Sequence, residues 1–206
     1  MASKLDSSRL GVVTQVAHSL WDDYVQSQPG SSLDRPDLFR TPSGKTGTND
    51  AIRGFLGFCA DIFVPQGGNS VDTTIFPMNL EGLAPKNGNQ PASWLVGFQS
   101  SGGPCLVTIT IDANCLYTRL PLDAATRTKN HLILHEIGHL VLHWDSLLGA
   151  DSVGHRSMAR SATPQEEAEA WWFCYAVLGY AIGQRAFQNK TEPTNADDMI
   201  WSLVLR

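Results

Sequence analysis

Residues 135–139 read His-Glu-Ile-Gly-His, the spacing HExxH, inside a stretch with helical periodicity. On a helix, positions four apart differ by about 40° around the axis. His135 and His139 therefore project from one face, one turn apart, and can share a metal ion. Glu136 is displaced from His135 by about 100°. Its carboxylate then stands beside the metal rather than on it, where it can take a proton from a water the metal holds. Two neutral imidazoles suit zinc, and a catalytic zinc site has three protein ligands plus water. The competing reading is a chance match on a structural helix. Histidine is scarce, six in the chain, and three of the six fall within residues 135–143. Two buried imidazoles and a carboxylate with no metal are hard to satisfy, which favours the zinc reading.

His143 extends the pattern to HExxHxxxH. It lies eight residues from His135, about 12 Å along the helix. Zinc bonds of ~2 Å cannot span that distance while also holding His139. His143 is read instead as a residue that supports the ligands, or as a cation near the helix end. Asp145 has the third-ligand spacing of metzincin-type proteases, but Leu142 stands where those need a chain-turning glycine, so this reading is the weaker one.

The third ligand is sought among Glu166, Glu167 and Glu169. Thr163-Pro164-Gln165-Glu166 reads as a capping box with proline at the first helical position, which draws Glu166 back toward the Thr163 amide. Glu167 heads the stripe Ala170, Trp171, Cys174, Leu178 and Ala181. Several of these are small, which lets another helix approach closely, and Gly138 offers matching clearance on the histidine helix. Glu169 heads a bulkier face with Trp172, Phe173 and Tyr180. The expected zinc ligands are therefore His135, His139 and Glu167, with Glu136 as the catalytic base.

The elements that must position these residues read as follows. Val13, Val16, Ala17, Leu20, Trp21 and Tyr24 give an amphipathic helix over 7–25. Residues 26–49 are rich in Pro, Gly, Ser and Thr and form a long loop or linker. Asn49 caps a short helix over 51–60, Asp61–Val64 (DIFV) reads as a short strand, and Pro65-Gln66-Gly67-Gly68 breaks it. Residues 72–84 suggest a strand then a turn. Strands over 94–99 and 105–112 form a hairpin through the SSGGP loop, the second alternating Val107, Ile109 and Ile111 with threonines. Asp123 caps a long helix from about residue 124 to Trp144 or beyond. A polar run over 150–163 precedes the helix that starts at Thr163-Pro164 and is apolar nearly all round beyond residue 170. A short helix over 195–206 ends the chain. The order is that of an α+β domain. The chain divides into an N-terminal helix plus linker, 1–48, and a catalytic domain, 49–206.

Fifteen Lys+Arg against twenty Asp+Glu give a net charge of −5, which argues against a nucleic-acid binder held by phosphate contacts. No stretch approaches the ~18–20 apolar residues of a membrane span. No apolar run follows Lys4, as a secretory signal requires. The four cysteines are scattered, with no CxxC pair. The expectation is a soluble, intracellular (cytoplasmic) protein with reduced thiols.

HEIGHLVLH, preceded by ATRTKNHLIL and followed by EEAEAWWFCYAVL, resembles the ImmA/IrrE family of zinc metallopeptidases. The resemblance covers about residues 49–182, with Ile109–Asp112 as the strand before the HExxH helix. It implies a zincin-like fold: a small, mostly antiparallel sheet packed against the HExxH helix and a second, glutamate-bearing helix. The family's glutamate three residues before alanine also lands on Glu167, given Ala170. Trp171 stands where the family has asparagine. The resemblance implies a protein or peptide substrate, in some relatives a transcriptional repressor.

The expected function is zinc-dependent peptide-bond hydrolysis with one catalytic Zn2+. His155, Arg156, Tyr175 and Tyr180 have the chemistry to stabilise a developing oxyanion. The alternative is a zinc-dependent hydrolase or lyase acting on a small molecule, with Trp171 and Trp172 lining an apolar pocket. A third reading is a binding domain with a structural zinc, against which the intact Glu136 argues.

Overall fold

The computed structural model describes residues 7–28, 50–64, 71–78, 93–99, 105–112, 122–148 and 162–189. Helix α1, Ser7–Ser27, buries Val13, Ala17, Leu20, Trp21, Tyr24 and Val25 on one stripe at helical spacing. Helix α2, Asp50–Phe63, repeats Ile52, Phe55, Leu56, Cys59 and Ala60 at the same period, all buried. The two stripes meet in an aromatic cluster. Trp21 and Phe55 lie edge to face with ring centroids 5.4 Å apart, and Tyr24 packs on Phe55 at 5.4 Å.

Three strands follow: β1, Val71–Met78; β2, Ser93–Gln99; and β3, Cys105–Asp112. They form one sheet in the order β1-β3-β2. β3 alternates as expected, with Val107 and Ile109 buried and Leu106 exposed. β2 and β3 pair antiparallel, from Ser93 opposite Ile111 to Gln99 opposite Cys105. β1 pairs with β3 in parallel, from Val71 opposite Cys105 to Met78 opposite Asp112. The sheet is thus mixed, one pairing of each kind, rather than mostly antiparallel. Pro77 sits on β1, an edge strand, where a missing amide proton is tolerated.

The long helix α3, Leu122–Leu148, packs against α2, β2 and β3 and against the last described helix, α4, Pro164–Asn189. Its face Ile133, Leu134, Ile137 and Leu140 is fully buried. α4 packs in turn on α1. Trp172 on α4 donates its indole N–H to Thr14 Oγ1 at 2.9 Å. Tyr180 donates its hydroxyl to Asp22 Oδ2 at 2.8 Å and stacks on His18 with centroids 4.0 Å apart. α1 therefore shares one core with the later helices, so a division at residue 48 separates segments that pack together.

Two expected details change. Asp61–Phe63 continue α2 instead of forming a strand, and the Val64 amide still bonds the Ala60 carbonyl at 3.0 Å. The apolar period of α2 runs on through Ala60 to Val64, and the three-residue apolar run Ile62–Val64 cannot by itself distinguish strand from helix. α3 begins at Leu122, so Asp123 lies in its first turn rather than before it. The linker, the SSGGP loop, Asn49, the run 150–161 and the C-terminal helix fall outside the described residues.

Where α3 crosses α4, the two backbones touch. A Cβ built on Gly138 would lie 2.9 Å from the carbonyl oxygen of Ala170 and 3.0 Å from its Cα. Neither contact is a flexible side chain, so only the absence of a Cβ permits this approach. Gly138→Ala is expected to force the helices apart and destabilise the fold by about 1–3 kcal/mol, in the range of other overpacked cores. Urea unfolding checks it; a midpoint equal to wild type would mean the helices do not meet at this point.

Candidate metal centre

The first turn of α4 fixes which glutamate faces α3. The Thr163 amide donates to Glu166 Oε2 at 2.8 Å, and the Glu166 amide donates to Thr163 Oγ1 at 3.3 Å. This is the reciprocal cap expected of TPQE. The other Glu166 oxygen accepts from Ser146 Oγ on α3 at 3.1 Å. Glu166 is thereby occupied at the helix end, and the next residue, Glu167, turns to the histidine face.

There Glu167 Oε2 lies 3.3 Å from His135 Nε2, and Glu167 Oε1 lies 3.5 Å from His139 Nε2. One ligand atom from each of the three residues falls within 4.8 Å of the others, a group that can hold a metal ion. Two ligand atoms each ~2.0–2.1 Å from a tetrahedral zinc stand about 3.3–3.4 Å apart, so the carboxylate-to-imidazole spacing matches such a centre. Both imidazoles are buried, while the Glu167 side chain is 47% exposed, which leaves one side of the group open. The hydrogen bonds to His135 and His139 hold the Glu167 carboxyl well below the usual carboxylate range, so it is an anion.

The two histidine rings are oriented by different means. His135 stacks on Trp171, centroids 4.2 Å apart, and Trp171 stacks on Tyr175 at 5.9 Å. The His135 Nδ1 is buried and has no hydrogen-bond partner among the described residues. His139 Nδ1 instead lies 3.2 Å from His143 Nδ1. His143 Nε2 lies 3.1 Å from Glu169 Oε2. Glu169, 1% exposed, is gripped at both oxygens by Arg9 of α1, at 2.8 and 2.9 Å. The Arg9 guanidinium pulls the Glu169 carboxyl down to about 2, against the opposing effect of burial. Burial lowers the His143 pKa, and the hydrogen bond with the Glu169 carboxylate opposes that shift.

His135, His139 and Glu167 are thus brought together, and His143 sits behind His139. Glu136 is buried at the next position of α3 and is not one of the three converging groups. Tyr175 approaches the site through Trp171, and burial raises its hydroxyl to about 12. Tyr180 lies thirteen residues beyond Glu167, about 20 Å along α4, and is turned to α1, so it has no part in this site. α3 runs unbroken through Asp145, without the chain turn that a ligand at that spacing needs. His155 and Arg156 lie outside the described residues. No helix among the described residues is long and apolar enough to cross a membrane.

The sequence reading missed two partners. Arg9 lies four residues before Val13, so extending the α1 stripe back one turn would have placed it on the packed face. Glu169 lies four residues before Phe173 and eight before Val177, both fully buried. An acid heading that stripe needs a cation opposite it.

No protein-family model, no curated protein and no solved structure matches this chain.

Glu167→Ala is expected to weaken zinc binding far more than Glu166→Ala, which removes only a cap. Chelator competition with zinc on the two purified variants measures the difference. Equal affinities would show that Glu167 is not a ligand.

Proposed function

We propose that this chain is a zinc metallopeptidase that cuts peptide bonds of an intracellular protein or peptide. The observation that supports it most is the Glu167 carboxylate, delivered by a second helix to 3.3 and 3.5 Å from the two HExxH imidazoles. Two imidazole nitrogens and one carboxylate oxygen are the donor set of many catalytic zinc sites, and they match that metal in charge and softness. Bound zinc supplies a Lewis acid for the scissile carbonyl and makes water nucleophilic near neutral pH. His135, His139 and Glu167 hold the ion, with the ring planes of the histidines set by Trp171 and His143. Glu136 accepts the proton of the attacking water on its carboxylate and returns it to the nitrogen of the leaving amine. Its burial keeps that carboxylate away from bulk solvent.

The family resemblance of HEIGHLVLH and EEAEAWWFCYAVL supports a zincin-like fold and a protein substrate, in some relatives a repressor. The exposed edge of Glu167 gives an extended chain access to the ion position.

Glu136→Gln preserves volume and hydrogen bonding but cannot accept the proton. Hydrolysis should fall by a factor on the order of 10² or more, with zinc content unchanged. Cells expressing wild type or Glu136→Gln are compared for new protein N-termini by mass spectrometry. Cleavage products that depend on Glu136 support the peptidase. Identical peptides with an altered small-molecule profile would replace it with a hydrolase or lyase of small substrates.

A further inference from the structure

We infer that Trp171 and Tyr175 form a subsite for an aromatic side chain of the substrate, so that the peptides this site takes carry Phe, Tyr or Trp beside the bond that is cut. This rests on the reading of His135, His139 and Glu167 as a metal site.

The two adjacent tryptophans of α4 stand about 100° apart around the helix and serve different neighbours. Trp172 turns to α1, where its indole N–H is taken by Thr14 Oγ1. Trp171 turns to α3 and stacks on His135, with ring centroids 4.2 Å apart and planes 29° from parallel. Of the pair, it is Trp171 that borders the metal centre.

Glu167, Trp171 and Tyr175 are spaced four apart and share one face of α4. Their partners step back along α3 at the same interval. Glu167 meets His139 and His135, Trp171 meets His135, and Tyr175 meets His131 edge to face with centroids 6.3 Å apart. Trp171 and Tyr175 are themselves stacked at 5.9 Å. The ligand groups and the aromatic rings therefore form one continuous strip between the same two helices. From Glu167 to Tyr175 the strip runs about 12 Å along α4. An extended peptide covers that length in about four residues. A chain that reaches the ion position along this strip passes over both rings.

The strip lies at the rim of the core rather than inside it. Phe173, Cys174, Val177 and Leu178 of α4 are fully buried, whereas Glu167, Trp171, Tyr175 and His131 keep part of their surface exposed. Covering that aromatic surface with an apolar group is favourable. Aromatic rings add a preference for offset or edge-to-face neighbours 4.5–7 Å away, the range in which Tyr175 already holds Trp171 and His131. A cationic side chain is also attracted to an indole face, but the carboxylate of this strip, Glu167, is engaged by the two imidazoles and leaves it no counter-charge. An acidic side chain would face that same carboxylate. An aromatic ring is the occupant that meets all of these conditions.

The test uses the zinc-loaded full chain and three probes that differ in one side chain: the hydroxamates of N-acetyl-phenylalanine, N-acetyl-alanine and N-acetyl-lysine. Each chelates zinc and holds its side chain beside the chelating carbonyl, and calorimetry measures binding. The phenylalanine probe should bind wild type about tenfold more tightly than the alanine probe, and more tightly than the lysine probe. Trp171→Ala should bring the phenylalanine-to-alanine ratio close to one, and Tyr175→Ala should lower it less. Damage to the metal centre through His135 weakens all three probes together, so the ratio reads the subsite. Tyr175→Ala carries the test if Trp171→Ala does not fold. Trp172→Phe, on the α1 side, should leave the ratio unchanged. Equal binding of the phenylalanine and alanine probes to wild type, tightest binding of the lysine probe, or a wild-type ratio in both Trp171→Ala and Tyr175→Ala would overturn the inference and leave the metal centre standing. A chain that takes up no zinc and binds none of the probes would defeat the metal reading, and the inference with it.

Discussion

The contact between Gly138 and Ala170 is the constraint on which the rest of the site depends. Helix axes normally stand 8–10 Å apart, separated by side chains. At this crossing there is no side chain on α3 and only a methyl group on α4, and the backbones meet directly. A carboxylate on a short glutamate stem can reach two imidazoles on a neighbouring helix only if the helices are this close. Gly138 lies between His135 and His139, and Ala170 lies one turn after Glu167. The close approach is therefore built into the same two turns that carry the polar groups. The two imidazoles are costly to bury without partners, and a cation shared with Glu167 would satisfy them.

The second support is electrostatic and comes from outside the crossing. Glu169 is a buried anion beside a buried histidine pair, and Arg9 supplies its counter-charge. Three further contacts hold α1 along α4: Thr14 to Trp172, Asp22 to Tyr180, and the stacked ring of His18. Together they make α1 a wall of the site's supporting structure. Arg9 is half exposed, so much of its Coulomb attraction is screened by solvent. What it fixes is geometry, because its two parallel bonds to Glu169 define where the carboxylate sits.

How much of this could be read from sequence depends on the range of the interaction concerned. The HExxH helix, the Thr163 cap and the clearance at Gly138 follow from spacing within one or two helical turns, and the structure places them as that spacing implies. Glu166 and Glu167 were separable because a capping box is local. The strand at Asp61–Val64 failed because an acid and three apolar residues fit either a strand or the last turn of α2. The parallel partner of β3 was beyond reach, since no local pattern says which strand crosses over to lie beside it. The Arg9–Glu169 pair is the longest-range case. Extending the α1 stripe back one turn would put Arg9 on a packed face, but only the three-dimensional fold brings α1 and α4 together.

The central claim is a zinc centre built by two histidines of one helix and a glutamate of the next. X-ray absorption at the zinc edge on the purified full chain tests it most directly. The account predicts one zinc per chain with nitrogen and oxygen ligands only, at ~2.0–2.1 Å, and the multiple scattering that two imidazoles produce. A sulfur shell at about 2.3 Å, a single imidazole, or a chain that binds no zinc would contradict it.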